Sequence, residues 1–431
     1  MVEPTTSSSV TELYEQFVLP TYGRFPIVIE RGTGCHVWDE NGTEYLDFGA
    51  GIAVCSIGHS HPRLVQAIAD QAAKLIHTSN LYYTAPQGKL AQRLAECIGT
   101  PGKIFFCNSG GEANEGLYKL GRKYGSVTGG TRHEIITFEG SFHGRTMGGI
   151  SATAQQKVKV GFDPLLPGFR HVPFNDVPAL LAAINDKTIG ILVEPIQGEG
   201  GINSANAEFL RTLRSLCDEH DLLLMFDEVQ CGLGRTGDWC GWKTLTGDDL
   251  VPDAISWAKG IAGGFPMGAF WVRSKPVELA DGTTSRLSDL FGPGTHGTTF
   301  GGTPLACAAA HAVLDVIEEE NLLENATRRG AYALQKIRGL QSPHIREVRG
   351  AGLMIGIELD SALPQKLQQP TKTSSQILVQ LLHEQHQLAI PAGANVVRWL
   401  PPLNVTEADI DQAVGQLAAA LAELDSNLAS V

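Results

Sequence analysis

Two charged residues at the ends of apolar runs define the chemistry open to this chain. In DLLLMFDEVQ the run Leu222 to Phe226 ends in Asp227 and Glu228. In DAISWAKGIAGG the run Ala254 to Ala258 ends in Lys259 and a glycine-rich turn. A desolvated lysine amine attacks an aldehyde to form a Schiff base. A carboxylate can keep the nitrogen of a flat heterocycle protonated. Cys107-Asn108-Ser109-Gly110-Gly111 lies between an apolar run and a helical pattern. Successive N–H groups at a helix N-terminus bind an anion, and glycine lets a phosphate approach closely. Ser141-Phe142-His143-Gly144-Arg145 follows the apolar run EIITFEG and offers a ring face for stacking and a guanidinium for a carboxylate. Taken singly, each piece has an ordinary explanation: solvated strand-end charges, an N-cap by Asn108 or Ser109, a packed phenylalanine beside a surface arginine.

Residues this far apart meet only if a frame gathers them. From about residue 103 the pattern alternates short apolar runs (KIFFCN, EIITFEG, IGILVEP, LLLMFDEV, AISWAK) with helical stretches such as 207–219. That alternation predicts an α/β fold with a mostly parallel sheet covered on both faces. Ligands of such sheets bind outside the carboxyl ends of the strands, where Asp227 and Lys259 fall. Before this frame come a helix at 11–20, small antiparallel strands over 27–48, and helices at 64–76 and 86–98. After it come helices at 304–320 and 323–340. REVRGAGLMIGIEL and AIPAGANVVRWLPPL read as strands of a smaller α+β unit closed by helices at 374–386 and 406–424.

The totals remove several classes. Lys+Arg of 33 against Asp+Glu of 46 leaves a net charge of −13, which argues against nucleic acid or an anionic membrane as partner. No run approaches the roughly 18 apolar residues of a membrane span. The eight cysteines include no CxxC pair, so no metal site is expected. The opening MVEPTTSSSV is polar, is expected to be mobile, and lacks the pattern of a secretory signal. A reduced, cytoplasmic setting is expected.

Other motifs carry less. Gly232-Leu233-Gly234-Arg235-Thr236-Gly237 spells GxGxxG after a strand, the one signal for a nicotinamide-dependent oxidoreductase. DWCGWKTLTGDD behind it is a poor helix former, so the loop is expected to shape the pocket rim. His59 and His61 suit a loop better than a metal. Glu199, in EPIQGEGG, is placed to pair with an arginine, and Arg398 is the one charge in VVRWLPP. Phosphate loop, stacking loop, acid and lysine follow in that order, and together they are the parts list for pyridoxal 5′-phosphate (PLP).

The chain resembles the class-III aminotransferases of the ornithine/acetylornithine type over nearly its whole length. The motifs are GIAVCSIGHSHP at 51–62, TSNLYYTAPQ at 78–87, NSGGEANE at 108–115, SFHGRTMG at 141–148, EPIQGEGGI at 194–202, FDEVQCGLGRTG at 226–237, AKGIAGGFPMGA at 258–269 and HGTTFGGTPLAC at 296–307. The resemblance implies a fold-type-I PLP-dependent transferase. Its large domain carries a mostly parallel seven-stranded sheet, and both chain ends form a smaller α+β domain. The expected division is 1–55, 56–303 and 304–431.

It also implies a homodimer with shared active sites, catalytic Lys259 and Asp227, and a cofactor site of Ser109, Gly110, Gly111, Phe142, His143, Glu228, Val229 and Gln230, with Thr299 reaching the partner's phosphate. Arg145, Thr298, Glu199, Arg398 and Tyr22 would meet substrate. The implied substrates are N2-acetylornithine and 2-oxoglutarate, with ornithine, succinylornithine, N-succinyl-diaminopimelate and 4-aminobutyrate as alternative donors. Two positions depart from the pattern: Gly111 stands where Thr is usual, and Thr303 where Asn is usual. The first removes a hydroxyl from the phosphate loop, a loss of about 1.5–3 kcal/mol for a hydrogen bond to a charged group.

Overall fold

The computed structural model describes residues 9–430; residues 1–8 of the tail expected to be mobile lie outside them. The frame is a seven-stranded sheet built from β1 (Gly102–Cys107), β2 (Glu134–Phe138), β3 (Phe169–Val172), β4 (Thr188–Val193), β5 (Leu223–Asp227), β6 (Ala254–Trp257) and β7 (Gly268–Arg273). The order is β1-β7-β6-β5-β4-β2-β3, and only β7 runs against its neighbours. Every position of β4, β5 and β6 is buried. Along β5, Leu224 and Phe226 pack into one apolar cluster, and Leu223 and Met225 into another. A parallel strand covered on both faces reads as a continuous apolar run for this reason.

The carboxyl ends of the parallel strands lie along one edge. The helix Gly110–Val127 starts there, with Ser109 as its N-cap accepting from the Glu112 N–H at 3.2 Å. It lies close on β7: a Cβ at Gly116 would stand 2.2 Å from the Phe270 ring.

Both chain ends contribute to smaller layers. Ile29–Thr33, His36–Asp39 and Glu44–Asp47 form an antiparallel meander, and Glu44–Asp47 pairs in parallel with Gln387–Leu388. Ile345–Ala351, Met354–Leu359, Val396–Trp399 and Ile390–Ala392 form a four-stranded antiparallel sheet. Helices Leu322–Gly339, Ser374–Glu384 and Glu407–Ala429 accompany it. No helix among the described residues is long and apolar enough to cross a membrane.

Two readings change. The helix expected over 64–76 spans Pro62–Ala72, with His61 as N-cap. In the stretch read as a poor helix former, Gly241–Thr246 is helical. Its Trp242 N–H donates to the buried Glu228 carboxylate at 2.8 Å, a tertiary contact that compensates weak local propensity. Thr303 has a plain role: it caps Pro304–Glu319 by accepting from the Ala306 N–H at 3.2 Å. Thr and Asn both serve at that position.

Candidate active site

A cavity of about 630 Å³ opens at the carboxyl edge of the sheet. Its wall includes Ser109, Gly110, Gly111, Phe142, His143, Arg145, Glu199, Asp227, Val229, Gln230 and Lys259, eleven of the residues singled out in the sequence.

Asp227 ends β5 and is 3% exposed. Its carboxylate accepts from Asn114 Nδ2 at 2.7 Å, from His143 Nδ1 at 2.8 Å and from the Val229 N–H at 3.1 Å. Asn114 is held in turn, since its Oδ1 accepts from Ser256 Oγ at 2.7 Å and its Nδ2 also reaches the His143 carbonyl. Three donors fix the Asp227 carboxylate in place, aimed from the strand end.

Lys259 stands two residues past β6 at φ 47°, left-handed backbone that a non-glycine residue adopts only under strain. The neighbouring loop is tied down by Ser56 Oγ, which donates to the Gly260 carbonyl at 2.9 Å. Burial draws the Lys259 pKa down from 10.5 to about 8. Glu199 opposes that shift and Arg398 reinforces it.

Arg398 is 1% exposed. Its Nη2 pairs with Glu199 at 2.7 Å and its Nη1 donates to Gln230 Oε1 at 3.0 Å. Burial works against the Glu199 charge, yet Arg398 and Lys259 outweigh it and hold its pKa below the usual value. Arg145 differs: it is exposed at the cavity mouth, 5.2 Å from the Phe142 ring centroid, with no carboxylate partner among the described residues. The site thus offers one free guanidinium and one that is buried and neutralised.

Five expected residues stand elsewhere. Glu228 does not line the cavity; it is buried behind it, its carboxylate turned to Trp242, and burial pushes its pKa up to about 8. Thr298 Oγ1 accepts from Asn108 Nδ2 at 3.2 Å, one layer behind the wall. Thr299 is exposed. Tyr22 is 74% exposed, beside Arg24, and does not line the cavity. Arg398 does not line the cavity; it is paired with Glu199 and Gln230, which do. The GxGxxG loop forms no part of the cavity wall: Arg235 turns inward and donates to the carbonyls of Leu353 and Pro401, so the loop is an anchor for the C-terminal strands.

Other residues were missed. Glu194, just past β4, accepts from the Phe142 N–H at 2.8 Å and the Gly198 N–H at 3.2 Å, and burial raises its pKa to about 7. Its strand-end position was the available signal. Val54 reaches the wall from a turn in which Ala50, Gly51, Ile52 and Ala53 all have φ between 45° and 66°. Only Gly51 hints at it.

The residues fit PLP. The helix N-terminus at Gly110 and Gly111 presents backbone N–H groups to a phosphate. A Cβ at Gly110 would stand 2.8 Å from Val229 Cγ1, so the cradle admits no side chain there. Lys259 would supply the amine, Asp227 the anion for a protonated ring nitrogen, and Phe142 a flat face. His143 Nε2 is buried without a partner, a polar atom left over beside the space the ring would fill.

Fold and cavity together define a PLP-dependent enzyme of fold type I. The family model "Aminotransferase class-III" matches residues 18–421, and the chain belongs to that family of PLP-dependent transaminases. It is 45% identical to the acetylornithine aminotransferase of Caldanaerobacter subterraneus subsp. tengcongensis over 95% of this chain and 98% of that protein. Identity to the acetylornithine aminotransferase of Methanocaldococcus jannaschii is 44%, over 96% and 98%. Among solved structures, an ornithine aminotransferase from Toxoplasma gondii superposes with TM-score 0.87 at 32% identity, over 96% of this chain and 95% of that one. Acetylornithine aminotransferase from Elizabethkingia anophelis gives 0.80 at 33%, over 96% and 98%.

Proposed function

We propose that the enzyme transfers the terminal amine of N2-acetyl-L-ornithine to 2-oxoglutarate, giving N-acetyl-L-glutamate 5-semialdehyde and L-glutamate, a step of arginine biosynthesis. The carrying observation is the contrast between free Arg145 and Arg398 paired with Glu199 at 2.7 Å. A donor that reacts at its terminal amine keeps its carboxylate far from the chemistry. Arg145 suits that carboxylate, while Glu199 keeps Arg398 neutralised. 2-Oxoglutarate brings a second carboxylate beside the reacting carbon, and Arg398 binds it once Glu199 releases it. The relatives named acetylornithine aminotransferase support the same donor.

Lys259 holds the cofactor, Asp227 and His143 meet its ring, and Gly110, Gly111 and Ser109 receive its phosphate. When bound, PLP supplies an electron sink for the bond broken at the amine carbon. The Lys259 amine would be the group that moves the proton at that carbon. With a pKa of about 8 it is close enough to neutral pH to accept a proton and return it. Phe142 and Val229 close the two faces of the ring space and exclude water.

The reading includes a homodimer working in the cytoplasm. Thr299 is exposed and serves the partner's phosphate site; Leu81 at 83%, Tyr83 at 107% and Phe300 at 62% exposure suit a surface covered by a second copy. The cysteines are all unpaired, in keeping with a reduced compartment. Residues 1–55 and 304–431 act as the small domain and 56–303 as the large one, in keeping with the pairing of Glu44–Asp47 with Gln387–Leu388.

The test is a single-turnover half-reaction of the holoenzyme, followed through its visible cofactor band. N2-acetylornithine, ornithine, N-succinyl-diaminopimelate and 4-aminobutyrate are added separately. Rapid bleaching by N2-acetylornithine, reversed by 2-oxoglutarate, is expected. Bleaching by another amine alone replaces the donor, and no band after adding PLP overturns the cofactor site.

A further inference from the structure

The loop at 232–237 carries one side chain that the proposed reaction does not use. Arg235 is 3% exposed and has no carboxylate partner among the described residues. Burial draws its pKa down to about 10, so it remains a cation at neutral pH. Its Nη1 donates to the Leu353 carbonyl at 3.3 Å and to the Pro401 carbonyl. Its own carbonyl accepts the Leu353 N–H at 2.9 Å. The two backbones lie so close that a Cβ at Gly352 would stand 2.7 Å from the Arg235 carbonyl oxygen.

The places it grips matter. Leu353 immediately precedes strand Met354–Leu359, and Pro401 lies just past strand Val396–Trp399. These strands pair antiparallel, with Gly356 opposite Arg398. One planar guanidinium therefore pins the start of one strand and the exit of the other. The same segment carries Gln230, which accepts from Arg398 at 3.0 Å. One stretch of chain thus holds the partner of Arg398 and the ends of the strand pair that presents it.

We infer that Arg235 is a positioning residue for the acceptor's carboxylate: its grip on Leu353 and Pro401 sets where Arg398 stands relative to Gln230 and Glu199. The inference rests on the reading of Arg398 as the group that binds 2-oxoglutarate. In the donor half-reaction Arg398 stays paired with Glu199, and Arg145 carries the carboxylate. In the acceptor half-reaction Arg398 meets the substrate directly, so a displaced strand is felt there.

The experiment uses the holoenzyme with Arg235→Met and Arg235→Lys. In ping-pong kinetics kcat/KM for each substrate reports its own half-reaction. Binding of glutarate, an unreactive dicarboxylate, is measured by calorimetry. Arg235→Met is expected to lower kcat/KM for 2-oxoglutarate and weaken glutarate by about tenfold or more, while kcat/KM for N2-acetylornithine changes by less than about twofold. Arg235→Lys, with the charge retained but the planar fork lost, falls between. If Arg235→Met does not fold, Arg235→Lys alone carries the split. Equal losses on both substrates overturn the inference in favour of a purely structural role. Arg398→Met separates the two readings: unchanged glutarate binding there refutes the role of Arg398. A loss there with none in the Arg235 variants overturns only the role of Arg235.

Discussion

Lys259 must be neutral to capture the cofactor's aldehyde, so the rate at which the apoenzyme takes up PLP reads its protonation. At a pKa of about 8, roughly one lysine in ten is neutral at about pH 7, and the fraction saturates near about pH 9. The capture rate should therefore rise about tenfold over that interval and then level off. At the ordinary value of 10.5 it would rise about a hundredfold with no plateau. Two substitutions move the midpoint in opposite directions. Glu199 stabilises the ammonium, so Glu199→Gln lowers the pKa further and speeds capture at neutral pH, by no more than about tenfold because the plateau limits it. Arg398 repels the ammonium, so Arg398→Met raises the pKa and slows capture. Stopped-flow absorbance of the growing visible band, across pH, measures all three proteins. A wild-type profile without a plateau, or shifts of the same sign in both variants, would refute the electrostatic account of Lys259.

Further outcomes follow from the cavity. Lys259→Ala should purify folded by circular dichroism yet turn over no donor, and retained transamination would remove Lys259 from the reaction. Gly110→Ala forces Val229 to shift from 2.8 Å, whereas a methyl at Gly111 finds its nearest neighbour, Thr146 Cγ2, at 3.6 Å. PLP should therefore dissociate about tenfold more readily from the first and nearly unchanged from the second, as fluorescence titration can check; overpacking of this kind costs about 1–3 kcal/mol. Arg145→Lys loses the bidentate fork and should raise KM for both substrates in steady-state assays. Thr303→Ala removes the cap on Pro304–Glu319 and should cost about 1 kcal/mol in urea unfolding, while Thr303→Asn should be nearly neutral.

Much of the frame was legible because β4, β5 and β6 are buried on both faces and announce themselves as unbroken apolar runs. Asp227, Lys259 and Glu194 all stand at or just past the ends of those runs. Resolution fails at the next step, the direction of each side chain. Asp227 and Glu228 are adjacent at a strand end, and successive side chains point to opposite faces. Only one of them enters the cavity, and Glu228 goes to Trp242. The period-2 rule was available in the sequence; which face held the cavity was not. Tyr22 and Thr299 are exposed and stand apart from the cavity wall, so their part in the site belongs to the proposed dimer.

The two buried arginines mark where local sequence stops being informative. Arg398 stood out because a charge inside VVRWLPP is too costly to bury without a partner, and Glu199 and Gln230 supply it. Arg235 sits among glycines and a threonine, a composition that reads as an exposed loop. It is nevertheless almost as buried, because Gly234 and Gly237 let the backbone lie close against Leu403 and Thr327 of the C-terminal part. Its partners are backbone carbonyls, which every residue carries, so no side-chain pattern could name Leu353 or Pro401. A charge satisfied by side chains leaves a trace in composition. A charge satisfied by backbone leaves none, and it appears only when the chain is folded.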